Sequence, residues 1–403
     1  MTFMLDEKPP MRIAALADQC VQCGLCLPVC PTYALDRNEA ESPRGRIAIA
    51  AALAKDQAEP SAALREHLDH CLGCLSCEKV CPAHVRYGEL LVETRALLGP
   101  SPQRPSREIA LIRAPARWRR WRRVLGRLGF ARWKRGFAAL LPASAPMRSA
   151  LALWPATPQP PSSSAPATPE TTTDVAAETV AIFPGCIASV EDADAQRAAA
   201  TLLRAAGYRV VELPAFCCGA MDLHGGATAD ADRAAEQVRA AWCTAGANHL
   251  VTVTPGCVGT LRHALPDVSI SDPATLLAPR ADRLSFRSLQ ARVAVHLPCT
   301  QSNVTRSDAA LLALLGRIPG LEITTLAKPP HCCGAAGTHV LEFPERAARL
   351  RDETLRQVAT LAPQILLSSN IGCRLHLAAG MEQDGARWPH QHPLVLLAQQ
   401  LEA

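Results

Sequence analysis

One run of residues constrains this chain more than any other: Cys20-Val-Gln-Cys23-Gly-Leu-Cys26-Leu-Pro-Val-Cys30-Pro31. It returns as Cys71-Leu-Gly-Cys74-Leu-Ser-Cys77-Glu-Lys-Val-Cys81-Pro82. Both copies read C-x₂-C-x₂-C-x₃-C-P. That spacing suits a [4Fe–4S] cubane, because three closely spaced thiolates let one tight loop wrap three of its corners. The fourth Cys sits about a turn further on, in a segment that the Pro directs away. In proteins with two such clusters that fourth thiolate serves the other cluster. The expected ligand sets are therefore Cys20, Cys23, Cys26 and Cys81 for one cluster, and Cys71, Cys74, Cys77 and Cys30 for the other. Zinc is the competing reading, since paired C-x₂-C motifs bind it through four thiolates. Zinc does not call for the third C-x₂ step or the trailing C-x₃-C-P, and here both occur in each copy.

The remaining composition narrows the class. With 403 residues the length favours several domains. The 17 Cys are too sparse and too clustered for a small disulfide scaffold. Met1 to Pro10 is polar and carries Asp6, Glu7 and Lys8, which predicts no secretory leader. No apolar run reaches the roughly 18 residues a membrane span needs. The expected location is a reducing cytoplasm, with any membrane contact peripheral.

Along the chain, a short helix over Arg12–Asp18 leads in. Helices Ala48–Lys55 and Ser61–His70 fill the space between the cysteine motifs, and another occupies residues 88–100 up to Gly99-Pro100. Arg44 and Arg46 are candidates to offset cluster charge, or else solvated residues around a turn. From Ile109 to Pro169 there is no Asp or Glu. Within that stretch, residues 113–135 interleave many Arg with Trp118, Trp121, Phe130 and Trp133. A basic, Trp-bearing amphipathic helix predicts docking on an anionic membrane surface or on an acidic partner. A plain solvated helix is the alternative, and nothing else in the chain supports nucleic acid. Trp154 to Asp174 is rich in Pro, Ser, Thr and Ala without periodicity and reads as a linker, which places a domain boundary near 151–178.

Beyond the linker the chain repeats itself. Thr179–Cys186 resembles Ala291–Cys299, each a buried-type strand ending at a Cys. In each unit a helix follows (Ala193–Ala206; Ser307–Leu315). A second strand (Tyr208–Leu213; Leu321–Leu326) then runs into Cys217-Cys218-Gly219 or Cys332-Cys333-Gly334. A long helix (Asp230–Ala245; Pro344–Leu361) and a third strand (His249–Thr254; Gln364–Ser369) close the unit at Cys257 or Cys373. Strands alternating with helices predict a parallel α/β sheet. Each Cys follows the carboxyl end of a strand, so the thiols should gather at the sheet edge where α/β folds place ligands.

Two further constellations are thus expected: Cys186, Cys217, Cys218 and Cys257, and Cys299, Cys332, Cys333 and Cys373. They are candidates for additional iron–sulfur binding, with buried structural cysteines as the alternative. Cys243 has no counterpart and reads as a structural residue in mid-helix. His224, His263, His296, His331, His339 and His376 lie near these loops; each is more readily a satisfied core residue than a ligand.

Two C-x₂-C-x₂-C-x₃-C-P motifs followed by two CCG repeats resemble the iron–sulfur subunit of glycolate oxidase. Supporting strings are Ser42-Pro-Arg-Gly-Arg-Ile47, His67-Leu-Asp-His-Cys71, Cys332-Cys-Gly-Ala-Ala-Gly-Thr338 and Asn370-Ile-Gly-Cys-Arg-Leu-His376. The wider group includes subunits of glycerol-3-phosphate dehydrogenase, lactate-oxidising proteins and heterodisulfide reductase. The resemblance implies an α plus α/β fold: an α-helical ferredoxin domain (1–100), a basic helical segment (101–150), a linker (151–178), and two tandem cysteine-rich repeats (179–289 and 290–403). It also implies that FAD in partner subunits oxidises glycolate to glyoxylate, that two [4Fe–4S] clusters here take the electrons, and that a quinone or other acceptor receives them. The heterodisulfide reductase sites end in C-x-x-C, whereas here Cys257-Val-Gly-Thr260 and Cys373-Arg-Leu-His376 each lack the last Cys. No G-x-G-x-x-G follows a strand, so flavin or nicotinamide is not expected in this chain, nor is a catalytic residue of its own.

Overall fold

The computed structural model describes residues 9–142, 145–154, 178–327, 332–386 and 388–402. Most of the Pro/Ser/Thr linker (155–177) and His331 lie outside them.

The amino-terminal part is helical. Helices Pro9–Ala17, Pro43–Ala54, Ala62–Asp69 and Tyr87–Leu98 surround a core that includes Ile13, Leu16, Ala50, Leu68, Leu90 and Leu91. Their starts are set locally. Ser42 caps the second helix by accepting from the Gly45 N–H at 3.0 Å, with Pro43 at its first position. Ser61 does the same for the third.

The basic segment departs from the single helix expected. It forms helices Pro115–Arg127 and Phe130–Ala139, broken at Gly129, whose φ is +65°. Part of it also turns inward. Trp118 is buried and donates its indole N–H to Glu191 at 2.8 Å. Arg122 pairs with the same carboxylate at 2.8 Å and lies over the Trp154 ring. Buried Lys134 donates to Glu382 at 2.6 Å. Desolvating these cations is offset because each meets an acceptor on the α/β repeats, which the helices' own sequence does not supply.

The two repeats each build a four-stranded, all-parallel sheet. The first contains β1 (Thr179–Ile182), β2 (Arg209–Glu212), β3 (His249–Val251) and β4 (Ser269–Ser271), in the order β2-β1-β3-β4. The second contains β5 (Ala291–His296), β6 (Leu321–Thr325), β7 (Ile365–Ser368) and β8 (His390–Gln391), in the order β6-β5-β7-β8. The sequence reading expected three strands per unit. The fourth strands are three and two residues long, too short to leave a periodic signature. Central β1 is buried throughout and β5 over its last four residues, as parallel strands covered on both faces require.

One apolar core is shared by both repeats. It joins Val180, Leu202, Leu203 and Val251 of the first to Val293, Leu314, Leu367 and Leu397 of the second. Each of these side chains contributes roughly 1.5–3 kcal/mol by burial. Helix Ala193–Ala205 packs on the carboxyl-terminal helix Pro393–Gln400. Buried Arg374 pairs with Asp192, and His392 Nε2 meets the Val253 carbonyl at 3.0 Å, so polar contacts also tie the repeats together.

Candidate metal and electron-transfer centres

The two cysteine loops share one backbone feature despite different residues. The third and fifth positions of each loop lie in the left-handed region: Gln22 and Gly24 in one, Gly73 and Leu75 in the other. Each copy has glycine at only one of these positions, so Gln22 and Leu75 carry a conformation that costs about 1–2 kcal/mol. Such strain persists where the surroundings over-determine it.

Around these loops lie two cavities. Cys20, Cys23, Cys26 and Cys81 line the first, with Cys77, Pro43, Arg44, Ile47 and Tyr87. Cys30, Cys71, Cys74 and Cys77 line the second, with Thr32, Arg46 and Tyr87. The trailing Cys of each motif therefore lies beside the leading loop of the other. The donor chemistry fits cubanes: at least four thiols line each cavity, with Cys77 common to both, several have a neighbouring hydroxyl, and a cation lies beside each. Thr32 Oγ1 is 3.3 Å from Cys30 Sγ and the Tyr87 hydroxyl is 3.3 Å from Cys71 Sγ.

Arg46 is the most informative neighbour. It is 1% exposed and donates to the His67 carbonyl (2.6 Å), Thr32 Oγ1 (2.9 Å), the Glu41 carbonyl (2.5 Å) and Glu41 Oε2 (2.6 Å). Burial opposes its charge, but Cys71, Tyr87, Glu41 and Cys30 outweigh that and raise its pKa above the ordinary value. Glu41 is the hub of the network. Its Oε1 faces His67 (2.7 Å) and His70 (2.8 Å), and Arg346 of the second repeat approaches Oε2 at 3.3 Å. Against the penalty of burial, His70, His67 and Arg46 hold its carboxyl down to about 2.

The four expected thiols of each repeat also come together at the carboxyl ends of the strands. Cys186 hydrogen-bonds Cys217, which hydrogen-bonds Cys218, which in turn meets Cys257. In the second repeat the chain of contacts runs Cys299, Cys332, Cys333, Cys373, with Cys333 and Cys373 sulfurs 2.9 Å apart. Donation from their neighbours holds Cys217 and Cys332 well below the ordinary thiol value, while their partners are pushed up. Gly334, with φ +77°, allows this turn, since a Cβ there would meet the Ala347 carbonyl oxygen at 2.5 Å.

Cys243 falls otherwise than expected, whereas His376 is the satisfied core residue that its sequence context suggested. Cys243 is exposed and ends helix Thr228–Cys243 rather than being buried within it. His376, which stands where C-x-x-C would place a Cys, instead meets the Ala347 carbonyl at 3.1 Å. Conversely, His296 proves closer to the chemistry than its sequence context signalled. It is buried, a ring nitrogen lies within 4.8 Å of the Cys333 and Cys373 sulfurs, and burial pushes it down to about 4.

The second repeat also abuts the second cysteine loop. A cavity of about 250 Å³ is lined by Cys74, His296, Cys299, Asn303, Cys332 and Cys333, among others. Asn303 donates to the Cys74 carbonyl at 2.7 Å and ties the two walls together. Burial, then the nearby Cys332, pushes Cys74 up to about 12. Towards the first repeat, Arg95 donates to the His224 carbonyl at 3.0 Å and Arg104 pairs with buried Asp222.

Residues 16–85 match the 4Fe-4S dicluster domain family, and residues 180–262 and 293–378 match the cysteine-rich domain family. The glycolate oxidase iron-sulfur subunit of Escherichia coli is 28% identical over 92% of this chain and 91% of its own length. The probable glycolate oxidase iron-sulfur subunit of Bacillus subtilis is 29% identical over 91% and 89%. Lactate utilization protein A of an Exiguobacterium species is 21% identical over 54% of this chain and 94% of its own length. The chain thus joins a 4Fe-4S dicluster domain to two cysteine-rich domains and is similar along nearly its whole length to glycolate oxidase iron–sulfur subunits.

Proposed function

We propose that this chain is the electron-transfer subunit of a flavin-dependent glycolate-oxidising complex, taking electrons from FAD in partner subunits and delivering them to a quinone or similar acceptor. The observation that carries the reading is the pair of four-thiol cavities, one lined by Cys20, Cys23, Cys26 and Cys81 and the other by Cys30, Cys71, Cys74 and Cys77. Bound cubanes supply one-electron chemistry, which suits a donor that holds two electrons at once. The surrounding residues tune that chemistry. Arg46 sets a buried cation against the Cys30 and Cys71 thiolates, which favours the more negative, reduced state of that site. Tyr87 and Thr32 offer hydroxyl partners to the sulfurs. Asn303 holds the Cys74 loop against the second repeat, and in this reading electrons leave on that side.

The basic helices supply a surface for the acceptor's compartment. Trp121, Leu128, Trp133, Phe137 and Leu140 are exposed on them, beside Arg117, Arg119, Arg120, Arg123 and Arg127. Exposed indoles flanked by guanidinium groups and free of acidic residues fit the headgroup region of an anionic membrane, where a quinone is reached. No helix among the described residues is long and apolar enough to cross one.

The test is anaerobic, glycolate-dependent bleaching of the cluster absorbance with the flavin subunits present. Bleaching lost in Cys23→Ser and Cys74→Ser supports the reading, and normal turnover in both variants sinks it. Lactate is the second substrate to assay, because half of this chain matches nearly all of a lactate utilization protein.

A further inference from the structure

The two cysteine-rich repeats are not equivalent. The strand registers Val180↔His249 and Val293↔Ile365 place Phe183 opposite Thr252 in the first repeat and His296 opposite Ser368 in the second. Each stands three residues before its site's first Cys. Phe183 is fully buried and packs edge-on against Phe216, at 5.2 Å between ring centroids. It closes the first thiol site with hydrocarbon. His296 instead faces the 250 Å³ cavity, with Cys299, Cys332 and Cys333 around it. A ring nitrogen of His296 and the sulfurs of Cys333 and Cys373 all lie within 4.8 Å of one another. No such trio with a histidine occurs at the first site among the described residues.

We propose that the second repeat holds a thiophilic metal centre with His296 as its nitrogen ligand, beside Cys333 and Cys373 and with Cys299 and Cys332 within reach, and that the first repeat does not. The donor set suits iron, alone or with sulfide, or zinc: soft thiolates with one imidazole, and no carboxylate. The second shell suits it too. His296 Nδ1 lies 2.9 Å from Ser368 Oγ, a hydrogen bond that fixes the ring plane. His376, the nearest His in sequence to Cys373, is committed to the Ala347 carbonyl and takes no part. The centre would share with Cys74 the cavity that Cys74, His296 and Cys333 line. Its existence does not depend on which hydroxy acid the complex oxidises. Reduction of the amino-terminal clusters by glycolate could succeed with this site empty, so the two claims fail separately.

The experiment measures iron, zinc and acid-labile sulfide per chain in the anaerobically purified full-length protein, with electronic and EPR spectra. The variants are Cys333→Ser, its first-repeat counterpart Cys218→Ser, His296→Phe, which installs the first repeat's residue, and His296→Cys, which restores a soft ligand. Retention of the amino-terminal cluster absorbance and an unchanged far-ultraviolet circular dichroism spectrum show that each variant folds. The proposal expects Cys333→Ser to lose one centre's metal and Cys218→Ser to lose none. It expects His296→Phe to release that metal to a chelator at least about tenfold faster, and His296→Cys to hold it with an altered spectrum. Equal metal in wild type and folded Cys333→Ser, equal losses in Cys333→Ser and Cys218→Ser, or a His296→Phe protein matching wild type in release rate and spectrum would each overturn it.

Discussion

Replacing Arg46 by Met tests whether the buried network between the second cysteine loop and the second repeat is an energetic keystone. Methionine keeps most of the aliphatic volume and removes only the charge and its four hydrogen bonds. The guanidinium now serves Glu41 Oε2, two backbone carbonyls and Thr32 Oγ1. Removing one partner of a buried ion pair costs about 3–5 kcal/mol, and orphaned acceptors about 1–3 kcal/mol each. Glu41 keeps His67, His70 and Arg346, so the lower end, about 3 kcal/mol, is expected. At about 2–4 °C per kcal/mol for a mid-sized domain, the melting temperature falls by roughly 6–12 °C. Anaerobic thermal melting at pH 7, followed by circular dichroism and by cluster absorbance, reads this directly. The double variant Arg46→Met, Glu41→Gln should lose at least about 1 kcal/mol less than the sum of the singles, because each leaves the other's partner stranded. A melting temperature within about 2 °C of wild type, or strict additivity, would refute the reasoning.

Other consequences are open to measurement. Glu41 is held at about 2 against an ordinary 4.5, so the stability it adds is full above pH 4.5 and disappears as the pH falls toward 2. The gap in denaturation midpoint between wild type and Glu41→Gln should therefore close over that window; a gap constant from pH 6 to pH 3 contradicts it. Cys81→Ser should alter the EPR signal of the centre served by Cys20, Cys23 and Cys26, and Cys30→Ser that of the other, and the reverse pattern rules out crossed ligation. Gly334→Ala should cost more than about 2 kcal/mol, because its Cβ meets a backbone oxygen, whereas Gly385→Ala, with φ +71° but open space, should cost about 1 kcal/mol. Trp133→Ser with Leu140→Ser should abolish sedimentation with anionic vesicles while leaving the cluster spectrum intact; undiminished sedimentation removes the membrane face.

The amino-acid sequence by itself determined what depends on near neighbours. Spacing within Cys20–Cys26 and Cys71–Cys77 dictates a loop, and the helix expected from Ser61 begins at Ala62, whereas the one expected from Ala48 begins at Pro43, where Ser42 caps it. The alternation of strands and helices made the first three strands of both α/β repeats legible, but the very short β4 and β8 and the helices after the third strands, Pro255–Ala264, Ile371–Gln383 and Pro393–Gln400, were missed. Tertiary structure decided the rest, because burial and long-range partners are properties of the packed chain. Nothing local says that Arg46 lies against Cys71, or that Trp118, Arg122 and Lys134 turn inward to find Glu191 and Glu382 while Trp121 and Trp133 stay out. The same holds for His296. In the sequence it is one histidine among twelve. Only the pairing of β5 with β7, and the docking of the Cys74 loop against Asn303, make it the residue that distinguishes one thiol site from its twin.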